Sequence, residues 1–132
     1  MILVDASVLL DVLTADPQWA DWSAEKLERG LKQGLAINAV IYAELAVGFQ
    51  HESELENALA LADLRRLAVP YAAAFRAGHA FVKYRRQGGL RRSPLPDFII
   101  GAHAEVDGMT LLTRDATRYR TYFPKLKLIA PE

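Results

Sequence analysis

Four carboxylates stand where short apolar runs meet helical patterns, and acids placed so can do metal chemistry. Asp5 directly follows Ile2-Leu3-Val4, and Asp115 closes Thr113-Arg114-Asp115 behind the apolar run from Met109 to Thr113. Asp97 stands at the start of the helical run Phe98 to Val106, and Glu44 lies within the helical run Val40 to Phe49. Singly, Asp5, Asp97 and Asp115 also read as helix N-caps, the commonest use of an aspartate ahead of a helix. Glu44 is more telling. It falls four residues after Val40 and three before Val47, on the apolar stripe of its own helix. Unless that edge is open to solvent, a carboxylate there needs a cation, a proton or a water-filled cleft. Gly101 and Ala104 share a helical face with Asp97; they leave room beside its carboxylate or serve close helix packing.

Converging acids repel one another, and hard divalent ions such as Mg²⁺ or Mn²⁺ relieve the repulsion with oxygen ligands. One or two such ions orient a phosphodiester, activate a water and stabilise the leaving oxygen, so the protein need supply no nucleophile. The chain has few alternatives. It has no cysteine, which excludes disulfides, thiolate zinc sites and cysteine nucleophiles. His51, His79 and His103 lack a zinc-ligand spacing and read as surface or packing residues. There is no G-x-S-x-G around Ser7 and no glycine-rich phosphate loop after any strand.

The elements that must position these acids alternate along the chain. Strands are expected at 2–4, 35–37, 67–69, 109–113 and 126–129. Helices are expected at 7–13, 18–32, 40–49, 52–66, 72–87, 98–106 and 115–120. This alternation predicts an α/β fold, a three-layer α/β/α domain with a five-stranded parallel sheet in the order 3-2-1-4-5. Ligands of such sheets bind outside the carboxyl ends of the strands, where the strand order reverses; Asp5 and Asp115 follow strands there, and Glu44 and Asp97 lie on helices expected at the same end.

With 132 residues, 52% of them apolar and 24% charged, the chain is expected to form a single domain over 1–132. No apolar run approaches membrane-spanning length and no basic segment precedes a long apolar stretch, so a cytoplasmic protein is expected. Net charge is zero, but the charges are segregated. Residues 1–63 hold eleven acids and three bases, and residues 64–132 hold thirteen bases and five acids. Arg76, Lys83, Arg85, Arg86, Arg91 and Arg92 follow one another with no acid between them. Such a stretch is a polyanion-binding face or a solvated helix face. Trp19, Trp22, Tyr119, Tyr122 and Phe123 read first as packing residues, with nucleic-acid stacking the alternative for the last three.

Taken together, Asp5-Ala6-Ser7, Tyr42-Ala43-Glu44-Leu45, Leu95-Pro96-Asp97-Phe98-Ile99-Ile100 and Leu112-Thr113-Arg114-Asp115 resemble the PIN-domain ribonucleases, most closely the VapC-type toxins of bacterial type II toxin–antitoxin pairs. The resemblance covers essentially the whole chain. It implies a metal-dependent endoribonuclease that hydrolyses RNA with metal-activated water. Asp5 and Asp97 would ligate Mg²⁺ or Mn²⁺ directly, and Glu44 and Asp115 would act through water or on a second ion. Ser7 and Thr113 match hydroxyl positions beside the acids, and Gly101 stands where relatives often carry alanine. Arg85, Arg86, Arg91 and Arg92 would guide RNA to the cleft. The resemblance also implies a homodimer and an antitoxin partner covering a groove, for which the segments Val8–Leu13 and Val40–Phe49 are candidates. The rivals are a PIN-like RNA-binding module without nuclease activity, a phospho-receiver signalling module and a dehalogenase-like phosphatase. The receiver lacks its acid after strand three, where Pro70-Tyr71 stands, and the phosphatase has Ser7 where its second aspartate belongs.

Overall fold

The computed structural model describes residues 1–88 and 95–131. In chain order these form β1 (Ile2–Val4), α1 (Ala6–Leu13), α2 (Ala20–Gly30), β2 (Leu35–Asn38), α3 (Ala39–Ala46), α4 (Glu52–Leu59), β3 (Leu64–Leu67), α5 (Tyr71–Arg86), α6 (Leu95–Val106), β4 (Thr110–Leu112), α7 (Thr117–Tyr122) and β5 (Leu128–Ile129). The sheet is parallel throughout, in the expected order β3-β2-β1-β4-β5. Every residue of β1 and β2 is buried, which requires helices over both faces and explains their unbroken apolar runs. No helix among the described residues is long and apolar enough to cross a membrane.

One stretch departs from expectation. The helix begun at Glu52 stops at Leu59, and the third strand lies at Leu64–Leu67 rather than over residues 67–69. Leu55 and Leu59 are buried but Leu61 is 90% exposed, so the leucines beyond Leu59 do not continue a buried helix face. The strand that replaces it is an edge strand with exposed Arg65 and Arg66, a composition edges tolerate and a periodicity search misses. Arg66 then pairs with Glu56 of α4 through two hydrogen bonds of 3.0 and 2.8 Å.

Register sets up the site. Val4 of β1 lies beside Leu112 of β4, and the Asp5 amide donates to the Leu112 carbonyl at 2.9 Å. The residues that follow the two strands, Asp5 and Thr113, therefore emerge side by side where the sheet order reverses. On the other flank, Asn38 ends β2 and caps α3 by accepting from the Ile41 amide at 2.9 Å. Its amide nitrogen lies 3.0 Å from Nδ1 of the buried His103 of α6, whose Nε2 is 3.1 Å from Asp107. These polar links tie together α3 and α6, the helices that carry Glu44 and Asp97.

An aromatic cluster joins α5, α6 and α7. The Phe98 ring meets Tyr84, Tyr122 and Phe123 with centroids 5.6, 5.2 and 6.0 Å away. Arg76, first of the basic stretch, is engaged at this junction: it pairs with Glu105 at 3.0 Å and donates to the Tyr122 carbonyl at 2.9 Å. Gly101 serves the junction too. A Cβ there would sit 2.9 Å from two Phe123 ring carbons and 3.0 Å from one of Tyr119, so of the two readings of this small residue close packing holds, against rings. Both rings are buried and cannot retreat. Gly101→Ala is expected to cost about 1–3 kcal/mol, as overpacking usually does, read by urea denaturation.

Candidate active site

A cleft of about 360 Å³ opens at the carboxyl edge of β1 and β4, and Asp5, Glu44, Asp97 and Asp115 all line it. Asp5 is at its floor, only 7% exposed. Its Oδ1 accepts from the Ala6 amide at 2.8 Å, which caps α1, so the N-cap reading of this aspartate is also correct. Its Oδ2 accepts from the Thr113 hydroxyl at 2.8 Å and faces the Tyr119 hydroxyl at 3.3 Å. The Thr113 hydroxyl in turn accepts from the Asp115 amide at 3.2 Å. One buried hydroxyl thus links the Asp5 carboxylate to the Asp115 backbone. Ser7 lines the cleft, and its oxygen lies 3.4 Å from the Arg114 amide.

Glu44 reaches the cleft from α3 with its Oε1 buried and without a hydrogen-bond partner. That is the cleft rather than the solvated edge. Desolvation, reinforced by the charges of Asp5 and Asp97, raises its carboxyl to about 7. Burial also raises Asp5 to about 6 against the opposing Thr113 hydrogen bond, with Asp97 adding repulsion. Asp97 is likewise raised by desolvation, opposed by Arg118, whose guanidinium Nη1 is 2.6 Å from Asp97 Oδ2. It stands inside the first turn of α6, not at its cap. Asp115 is exposed at the rim. Burial and the neighbouring Asp5 keep the Tyr119 phenol protonated and able to donate.

The donor set is all oxygen, anionic and partly unsatisfied, which suits a hard divalent cation. Among the described residues, however, no three acidic or histidine side chains stand close enough together to grip one ion. Asp97 instead pairs with Arg118, which lines the same cleft and supplies positive charge beside the acids. A larger cavity of about 440 Å³ between α3, α4 and β3 offers no such demand, because its Glu56 is already satisfied by Arg66 and the Tyr42 hydroxyl.

The charge demand has a measurable sign. Glu44 binds its proton more tightly in the native chain (about 7) than in the unfolded one (4.5). Stability therefore falls as pH rises between those values. Without metal, Glu44→Gln is expected to be more stable than wild type at pH 7.5, by about 1 kcal/mol after screening of a half-buried group, and equal to it near pH 4. Urea denaturation in EDTA at both pH values checks this.

The remaining expected residues divide. Arg85 and Arg86 are exposed on the last turn of α5, where cations also suit the helix dipole. That turn adjoins the cleft, since the Tyr84 ring centre lies 5.8 Å from the Arg118 guanidinium. Arg91 and Arg92 lie outside the described residues. Of the groove segments, Val8, Leu9, Ile41 and Leu45 belong to the core, while Val12, Leu13 and Val47 are exposed. Sequence reasoning passed over Asp11, Arg114, Arg118 and the Tyr119 hydroxyl. Asp11 carried a usable signal, an acid among the apolar positions of α1, as Glu44 is in α3.

Residues 2–124 match the family model of the PIN domain. The chain is 32% identical to the ribonuclease VapC10 of Mycobacterium tuberculosis over 131 residues, 99% of this chain and 92% of the relative. Its fold is similar to that of VapBC2 from Rickettsia felis bound to a promoter DNA fragment, with a TM-score of 0.76, 20% identity and full coverage of both chains. It is also similar to a toxin–antitoxin complex from Klebsiella pneumoniae, with a TM-score of 0.65, 21% identity, and 100% of this chain and 98% of that one covered.

Proposed function

The chain belongs to the PIN-domain family, and on that premise we propose that it is a divalent-metal-dependent endoribonuclease, the toxic component of a toxin–antitoxin pair acting in the cytoplasm. The observation that carries the reading is the convergence of four carboxylates on one cleft, with a buried Glu44 oxygen that no protein group satisfies. Asp5 and Asp97 would hold the principal Mg²⁺ or Mn²⁺ ion, with Glu44 and Asp115 contributing through water or to a second ion. When bound, the metal activates a water and stabilises the leaving oxygen of an RNA phosphodiester.

The chain's own residues prepare that chemistry. Thr113 and Tyr119 orient Asp5 by donating to its Oδ2. Thr113 also holds the backbone of Asp115 beside it. Arg118 neutralises Asp97 until a stronger cation competes for the carboxylate. An acidic cleft repels RNA, so Arg85, Arg86, Arg91 and Arg92 bring the backbone in. The chain functions as one PIN domain, pairs with a second copy, and is silenced by an antitoxin lying over the exposed apolar residues Val12, Leu13 and Val47.

Incubating the purified protein with RNA, with and without EDTA, tests the reading. Cleavage lost in EDTA and restored by Mg²⁺ or Mn²⁺ is expected, as is its loss when a co-expressed antitoxin is bound. RNA binding without cleavage under any metal would favour the non-catalytic PIN-like module.

A further inference from the structure

Two arginines line the acidic cleft, and they are held differently. Arg118 leans onto Asp97, a cleft acid. Arg114, next to Asp115 in the chain, is fastened from behind instead. Its Nε donates to Asp11 Oδ2 at 2.8 Å, and its guanidinium carbon lies 5.5 Å from the Trp19 ring centre. Asp11 is 2% exposed, and the same oxygen accepts from the buried Ser23 hydroxyl at 2.9 Å. Neither Nη of Arg114 has an acceptor among the described residues.

A buried ion pair contributes little net stability, because desolvating both charges offsets their attraction. Placement explains it better. An unfastened guanidinium beside Asp5 and Asp115 would collapse onto them, as Arg118 does onto Asp97, and would compete with any cation. Asp11 takes the Nε edge and Trp19 a face. The Nη donors are left fixed at the rim, with their charge only partly offset. A rigid guanidinium with free donors in a cleft that must accept a polyanion is matched to a phosphate oxygen. We propose that Arg114, positioned by Asp11, anchors a phosphate of the bound RNA strand. This rests on the ribonuclease reading above.

Removing Arg114 alone would strand the buried Asp11 charge and risk unfolding. The comparison is therefore between the wild type and the double variant Asp11→Asn/Arg114→Gln, which removes both charges of the pair together; Asp11→Asn alone, which keeps the guanidinium but frees it, should raise KM as well if its position matters. Cleavage of a single-stranded RNA is followed across a salt series at saturating Mn²⁺, and Mn²⁺ affinity is measured by calorimetry. Loss of Arg114 is expected to raise KM about tenfold and to lower the slope of log KM against log salt by about 0.7, the share of one phosphate contact on a single strand. Mn²⁺ affinity should change by less than about twofold. An unchanged KM and salt slope, with kcat or Mn²⁺ affinity falling instead, would mean that Arg114 only braces the loop, and would overturn the proposal. A wild-type protein that neither binds nor cuts RNA would overturn the ribonuclease reading along with it.

Discussion

Asp5→Asn and Asp97→Asn are each expected to reduce RNA cleavage by at least about a hundredfold while leaving the protein folded. Loss of a residue that merely orients a metal ligand already costs roughly 10–100-fold, and loss of a ligand should cost more. Folding should survive because these carboxylates serve the cleft at the expense of the native state. Asp5 is desolvated and repelled by Asp97, its carboxyl raised to about 6. An asparagine there is uncharged; its carbonyl oxygen keeps the Ala6 amide, and the Thr113 and Tyr119 hydroxyls can turn to accept from its amide nitrogen. At position 97 an amide gives up the Arg118 ion pair, which is partly solvent-exposed on both sides and worth at most about 1 kcal/mol. Circular dichroism melting beside a cleavage assay separates the two effects. A variant that cuts at the wild-type rate would remove that residue from the ligand set.

Divalent ions should stabilise the protein strongly at neutral pH. Binding to the native state alone contributes about 2.7 kcal/mol at a hundredfold excess over Kd. For a chain of this length that is a rise in melting temperature of roughly 10 °C. The rise should be larger at pH 7.5 than at pH 5, because Asp5 and Glu44, raised to about 6 and about 7, must lose their protons to bind. Asp5→Asn should blunt it. Arg118→Gln should enlarge it at limiting metal by freeing Asp97 from its 2.6 Å ion pair, and a smaller rise there would show that Arg118 assists the metal rather than competing with it.

What the sequence made legible follows from burial. Strands β1, β2 and β4 are apolar at nearly every position because both faces of the sheet are covered, and the acids after them mark the edge where ligands bind. Strand β3 escaped because an edge strand with Arg65 and Arg66 has neither a continuous apolar run nor alternation. The four acids could be named because each stands at a strand end, at the start of a helix or on an apolar stripe. Their partners could not. Tyr119 reaches Asp5 across 114 residues and Arg114 reaches Asp11 across 103, contacts that only the folded sheet creates. Gly101 shows the same limit: small residues beside Asp97 read equally well as room beside the carboxylate or as close helix packing, and the rings of Phe123 and Tyr119 take the space.

The central claim, hydrolysis of an RNA phosphodiester at the Asp5–Asp97 cleft by metal-activated water, is tested most directly by the chemical ends of the cut RNA. Mass spectrometry of fragments made by the wild-type protein in Mg²⁺ or Mn²⁺ should find a 5′-phosphate and a 3′-hydroxyl at every new end, and no fragments from Asp5→Asn under the same conditions. A 2′,3′-cyclic phosphate facing a 5′-hydroxyl would show attack by the neighbouring ribose hydroxyl instead, and would contradict it.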